Sequence, residues 1–331
     1  MTRRTLGLVV LAIAVLAVVF VSLAFGTRQI SLDAVFAAII DPDLSNNDHA
    51  VVRDLRVPRT VIGLLAGAAL GVAGGIMQGL TRNPLADPGL LGVNAGASLF
   101  VVLGITFFGI TAATGYVWFA FAGAAVATVV VYAVGAGRGG HATPVTLTLA
   151  GAAVTAVLTS IITLVLLSNL ETLNQYRFWS VGSLVGRDLS TVVVLLPFLI
   201  AGFALAAVVA RMLNVLALGD DVARGLGQNV SLARVLAAVA IVILCGGATS
   251  IAGPIVFVGL VVPHIVRRFT GPDYRWVLAY SFFVGAILLV LADVVGRLIV
   301  QPTELEAGIV VAFLGAPVMI ALVRRSKVGV L

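Results

Sequence analysis

The chain has 331 residues, 61% hydrophobic and only 10% charged, with a formal net charge of +6 and a mean hydropathy of +1.17. A soluble domain carries about 25% charged residues, so this composition excludes a soluble globular protein and describes a polytopic membrane protein. The single cysteine, Cys245, lies in an apolar stretch and excludes an internal disulfide or a cysteine-cluster metal site.

Charges bracket the predicted spans in chain order. Residues 6–25 form a first helix. The uncharged run around it exceeds the roughly 7–15 apolar residues of a signal-peptide core, so it reads as retained. A polar segment, 27–59, carries five acids and a short amphipathic helix over 32–40. The second span covers 60–80. Fifty uncharged residues between Asp87 and Arg138 hold the third and fourth, broken near 109–115. The fifth covers 144–167 and is followed by a surface helix within 169–190 that carries Tyr176, Phe178 and Trp179. The sixth spans 191–210. A charged loop, 212–234, precedes a seventh span, a Gly/Pro break at 246–254 and a short eighth helix ending before Arg267. The ninth and tenth cover 276–295 and 305–323.

Thirteen of the twenty basic residues fall on one side of this ladder, and nine of the fourteen acids on the other. The positive-inside rule then predicts an even number of spans, about ten, with both termini cytoplasmic. The expected fold is an all-α polytopic membrane protein with one transmembrane domain over 1–331. Because the positive charges sit in short loops, they report orientation, and no nucleic-acid partner is expected. The pentads VAGGI (72–76) and IAGPI (251–255) lie five helices apart. They fit either an inverted-topology repeat or chance recurrence of a Gly-rich pattern.

Three segments stand out. In GLTRNPLADPGLLGVNAGASL (79–99), Pro84 and Pro88 stop a helix while Asn83 and Asp87 turn the chain beside them. Such irregular backbone at membrane depth belongs where protein or water surrounds it. In 253–275, His264 has no second ligand at helical spacing, so a capping or loop-bonding role is expected and no metal site. In the loop LALGDDVARGLGQNVSLAR (216–234), Asp220 is placed to cap a short helix over 221–226, broken by Gly227. A loop this long among short connections marks a docking element. A Walker A loop needs GxxxxGK[ST], whereas the only lysine, Lys327, precedes Val328; no catalytic residue and no cofactor are expected on this chain.

RVPR (56–59), RNPLADPGLLGVNAGA (82–97), LGDDVARGLG (218–227), GPIVFVGLVVPHIVRR (253–268) and PTELEAGIVVAFLGAP (302–317) occur in one order. Together they resemble the FecCD-type permeases of type II ABC importers for iron-siderophores, haem and cobalamin. The resemblance implies a cobalamin-importer-permease-like fold of ten helices in a bacterial plasma membrane. It further implies a second permease, identical or paralogous, two ATPase subunits that hold ATP and Mg, and a substrate-binding protein outside, all amid membrane lipid.

Carried over by residue, Leu218, Gly219, Asp220, Asp221, Val222, Ala223, Arg224, Gly225, Leu226 and Gly227 would seat in an ATPase cleft. Arg56, Arg59 and Arg297 would face acids of the binding protein, or else snorkel at the interface. Arg297 also follows Asp293 at the favourable i,i+4 spacing. Asn83, Leu85 and Thr143 would lie near the cytoplasmic gate, and Met77 and Gln78 along the pathway, with core filling the alternative for Met77. Glu306 departs from the family pattern, which often has Pro after Glu-Leu. The implied function is import of a ferric siderophore or related chelate, with haem or cobalamin as alternatives. An ion-coupled secondary transporter would need membrane-embedded titratable groups, and only Asp293 lies within a span.

Overall fold

A computed structural model describes residues 3–43, 45–110, 112–137 and 143–325; Arg138 and Lys327, counted above among the basic residues, lie outside them. The described chain is helical throughout. Its elements are α1 (Arg3–Ala24), α2 (Leu32–Ile40), α3 (Asn47–Thr81), α4 (Val93–Phe108), α5 (Ala113–Ala136), α6 (Pro144–Ser168) and α7 (Leu170–Ser180). There follow α8 (Leu189–Leu216), α9 (Asp220–Gly225), α10 (Val230–Ala252), α11 (Val258–Thr270), α12 (Tyr274–Ile299) and α13 (Ala307–Arg325).

Seven of these helices are long and apolar enough to cross a membrane, and α4 and α13 are shorter apolar helices. The tenth member of the ladder is α11. Its 13 residues rise about 20 Å, two thirds of the roughly 30 Å hydrocarbon core. The irregular segment 253–257 carries the chain down to its start. The break expected over 246–254 is thus confined to its last residues, since α10 stays helical through Gly246 and Gly247 to Ala252. The irregular part is enclosed by protein: a Cβ on Gly253 would stand 2.3 Å from the Trp179 carbonyl.

Helix boundaries differ from the hydropathy boundaries. α3 begins at Asn47 rather than 60, through a π-helical stretch Val51–Arg56, and α8 runs on to Leu216 past Arg211. Hydropathy marks where lipid ends, whereas a helix continues as long as its charged side chains find partners or water.

α3 is the axis of the bundle. Its apolar window is 83% buried, against 11% for α1 and 17% for α6. Glycines let its neighbours touch its backbone. A Cβ on Gly67 would lie 2.3 Å from the Gly285 carbonyl oxygen of α12, and one on Gly74 only 1.9 Å from that of Gly259 in α11. The turn after α3 is built as its prolines require: Asn83 Oδ1 accepts from Leu85 N (2.9 Å) and Asp87 Oδ1 from Gly89 N (2.8 Å). Arg82 takes the left-handed conformation (φ 52°) to leave the helix. The start of α1 meets the start of α12, where Tyr280 Oη donates to the Arg4 carbonyl (2.7 Å). The later half of α13 packs by Val318 and Met319 on the Leu260–Val261 cluster, which Leu85 of the turn after α3 also covers. Both described chain ends therefore lie at the α9 end of the bundle.

Replacing Gly74 by valine should cost at least about 2 kcal/mol through overpacking against backbone that cannot yield. Gly225 in α9 meets nothing within 4 Å, so Gly225→Ala should leave stability unchanged or raise it slightly. Thermal unfolding of the detergent-solubilised variants checks this; equal midpoints would contradict the packing described.

Candidate functional site

The loop 212–234 folds into a braced knob. Gly219, at φ 106°, turns the chain off α8, and α9 starts with no side-chain cap. The predicted capping role of Asp220 is therefore corrected: its carboxylate binds Arg82, just past α3, and Arg234 of α10, at 2.6 Å from Oδ2. Two guanidinium groups outcompete a backbone N–H for one carboxylate. Gln228 closes the knob, its N donating to the Ala223 carbonyl (3.0 Å) and its Nε2 to that of Met212 (3.1 Å). Ala223 is buried beneath.

What the knob presents outward was not visible in the motif. Leu218, Val222 and Leu226, spaced four apart, are 60%, 51% and 64% exposed. Beside them Arg224 bonds Asp221 at 2.9 Å, both side chains solvated. Exposed apolar side chains rimmed by charge mark a partner surface. Gly225 completes the turn of α9, and Gly227 (φ 81°) the exit from it.

At the opposite end a second carboxylate organises the structure. Asp293, 1% exposed, lies between Arg59 and Arg297. Arg59 Nε donates to both its oxygens (2.8 and 2.9 Å) and reaches Glu304 Oε2 with Nη1 at 2.5 Å. Arg297 donates to the Ser22 carbonyl (2.9 Å), and Arg56 to those of Leu23 (2.6 Å) and Ala24 (2.9 Å). These carbonyls belong to the last turn of α1, which has no intrahelical donors left and carries the negative end of the helix dipole. Ser22 and Thr60 join their hydroxyls at 2.7 Å. Over this cluster opens a cavity of about 550 Å³, lined by Arg28, Arg53, Arg56, Arg59, Arg187 and Arg297 and by three acids, Asp54, Asp188 and Glu304. The excess of arginine makes it electropositive.

The three arginines assigned to docking are thus brought together, but as internal ligands: Arg56, Arg59 and Arg297 are 4%, 8% and 2% exposed. The solvated cations of this mouth are Arg53 and Arg28, the latter paired with Asp48 at 2.7 Å. RVPR drew attention to its own arginines, while the π-helical stretch turns Arg53 outward. Met77 and Gln78 do not reach the surface of the chain, because α3 is the axis: Met77 fills the core. Gln78 ties α3 to α11, donating to the Leu260 carbonyl (3.1 Å) and accepting from Arg267 (2.9 Å). Asn83 is exposed, Leu85 packs on the Leu260–Val261 cluster, and Thr143 forms a capping box with Thr146 at the start of α6. His264, expected to cap or to bond a loop, instead lies inside α11, which continues past Pro263 to Thr270.

Asp293→Asn should leave the buried Arg297 without its counter-ion and Arg59 with Glu304 alone, at a cost of about 3–5 kcal/mol. Thermal unfolding of the purified variant measures this, and an unshifted midpoint would refute the role given to Asp293.

Known proteins share this architecture. A solved inward-facing structure of a metal-chelate type ABC transporter superposes with a TM-score of 0.83 at 24% identity, covering 96% of this chain and 98% of that one. The ferric enterobactin transport system permease protein FepD of Escherichia coli (strain K12) is 48% identical over 93% of this chain and 92% of its own length. The probable siderophore transport system permease protein YfiZ of Bacillus subtilis (strain 168) is 41% identical over 98% and 97%. The hemin transport system permease protein HmuU of Yersinia pestis is 34% identical over 96% of each chain. The FecCD transport family model matches residues 13–325, and the chain belongs to that family.

Proposed function

We infer that this chain is the membrane-spanning permease of an ATP-driven importer that carries a ferric siderophore or related iron chelate across a bacterial plasma membrane. The observation that carries the reading is the α9 knob, held through Asp220 to Arg82 beside the axial helix and to Arg234 of α10. In the membrane, α9 and both termini face the cytoplasm, as the positive-inside distribution requires. A partner ATPase takes Leu218, Val222 and Leu226 into a cleft between its own surfaces. When ATP draws two such subunits together, each knob moves as a rigid handle. Its displacement passes by ion pairs to the turn 82–92 and to α10, without the loss that a flexible loop would impose.

The pathway lies between this chain and a second permease, identical or paralogous. α6 supports that placement. It is the least buried long helix after α1, and it exposes Thr159, Ser160 and Thr163 at mid-helix. The Ser160 and Thr163 hydroxyls bond their own helix carbonyls at 2.9 Å, leaving a mildly polar, uncharged wall suited to a large chelate that must bind and leave. Asn83, Leu85 and Thr143 lie at the cytoplasmic gate. Outside, a substrate-binding protein lays acidic lobes on the electropositive mouth. Arg53 and Arg28 make the contacts there, while Arg56, Arg59 and Arg297 supply field from within.

Two observations weigh against the other readings. The siderophore permeases FepD and YfiZ are 48% and 41% identical to this chain, and the hemin permease HmuU is 34%. Ion coupling would fall to Asp293, whose oxygens are already committed to Arg59 and Arg297.

The tagged chain, purified in mild detergent from its native locus, should bring an ATPase with it. Substituting Leu218, Val222 and Leu226 together by serine should cut that recovery about tenfold or more, as expected for central apolar anchors. Recovery of the ATPase by the triple variant, or none by the wild type, would sink the assignment.

A further inference from the structure

Arg187 and Val185 line a second cavity, of about 510 Å³, beside the arginine-rich one. Its polar wall is Tyr116 of α5, Gln175 and Trp179 of α7, Ser183 and Arg187 of the α7–α8 linker, and Glu306 just before α13. Gln175 and Trp179 are four residues apart and share one face of α7. The indole is 2% exposed and leans on Tyr176, ring centroids 6.0 Å apart.

Four polar atoms of this wall are buried without a hydrogen-bond partner: Gln175 Oε1, Trp179 Nε1, Arg187 Nε and Glu306 Oε2. Buried polar groups are nearly always paired, because an unpaired one forfeits its hydration. Four around one cavity mark a site whose partners arrive with a ligand. Burial pulls the Arg187 guanidinium down from its ordinary pKa while Tyr116 and Glu306 hold it up. An arginine so placed stays charged at neutral pH.

The donor set selects the ligand. A bare metal ion would meet the charge of Arg187 and only one carboxylate. A simple anion would satisfy Arg187 and Trp179 but leave Gln175 Oε1 and Glu306 unpaired. An amide offers a carbonyl to the first pair and an N–H to the second. We propose that this cavity is a subsite for the amide-bearing organic periphery of the transported chelate. In it Arg187 and Trp179 receive ligand oxygens, and Gln175 and Glu306 receive ligand N–H groups. The proposal rests on the iron-chelate reading above and adds the part of the substrate that this chain discriminates. Chelates whose scaffold lacks amides gain nothing here.

The test is equilibrium titration of the permease–ATPase complex in lipid nanodiscs, without binding protein. Two gallium-loaded probes are compared, a trihydroxamate on a peptide ring and citrate, which has no amide. Trp179→Phe keeps the ring and removes the N–H; Gln175→Leu removes the acceptor and serves should the first variant fold poorly. Each should weaken the trihydroxamate about tenfold, the size of one unmade buried hydrogen bond. Melting midpoint and citrate affinity should not change. Absence of trihydroxamate binding to the wild type, unchanged affinity in the variants, or equal weakening of both probes would overturn the proposal. Radioiron uptake by cells lacking the gene tests the import reading separately. Undiminished uptake there would end that reading while leaving the measured affinities to judge the cavity.

Discussion

Contact between helix backbones, rather than between side chains, holds this molecule together. In lipid the helices gain no hydrophobic advantage by meeting one another, since acyl chains are as apolar as leucine, so dispersion and close approach must hold them. Gly67 against Gly285 and Gly74 against Gly259 seat the backbones of α12 and α11 directly on that of α3. With α3 so enclosed, the peripheral helices α1 and α6 are left with apolar faces turned outward. That is why the axial helix presents almost no surface of its own, while α6 presents most of its length.

Charge does at the two ends what glycine does between them. Asp293 gathers Arg59 and Arg297, and Asp220 gathers Arg82 and Arg234. Arg59 lies near the beginning of α3's apolar stretch and Arg82 just past its end, so the axial helix is gripped at both ends by carboxylates carried on other elements. At one end the grip closes the exposed carbonyls of α1. At the other it braces the α9 knob. A carboxylate with two guanidinium partners fixes geometry better than an isolated pair, because the central group is ordered once for both contacts. The same pairing ties α9 to both α3 and α10.

The cavity near Glu306 obeys a different rule. The two clusters satisfy their polar groups internally, whereas Gln175, Trp179, Arg187 and Glu306 keep polar atoms buried and unpaired. Hydrogen-bond accounting, not residue type, separates these groups from the two paired clusters. Arginines 53, 56, 59, 187 and 297 are alike in sequence and differ in which partners the fold brings to them.

The amino-acid sequence by itself determined the helical character of every described span, because a bilayer forces each backbone polar group to be satisfied within its own helix. It also determined the place of the turn 82–92 and the short helix in 212–234, since Pro, Gly, Asn and Asp act locally. The break expected from Gly246, by contrast, begins only at Gly253, because packed neighbours keep α10 helical to Ala252. Family membership was legible too, in five motifs in one order. Tertiary structure alone decided what each charged residue does. Asp220 lies 138 residues from Arg82, and Asp293 lies 234 from Arg59; no local pattern announces pairs so distant. It likewise decided that Met77 is core, that Leu218, Val222 and Leu226 stand outward, and that Glu306 faces Trp179 across a cavity. Burial and pairing are properties of the packed bundle, and they arise only when helices far apart in the chain become neighbours.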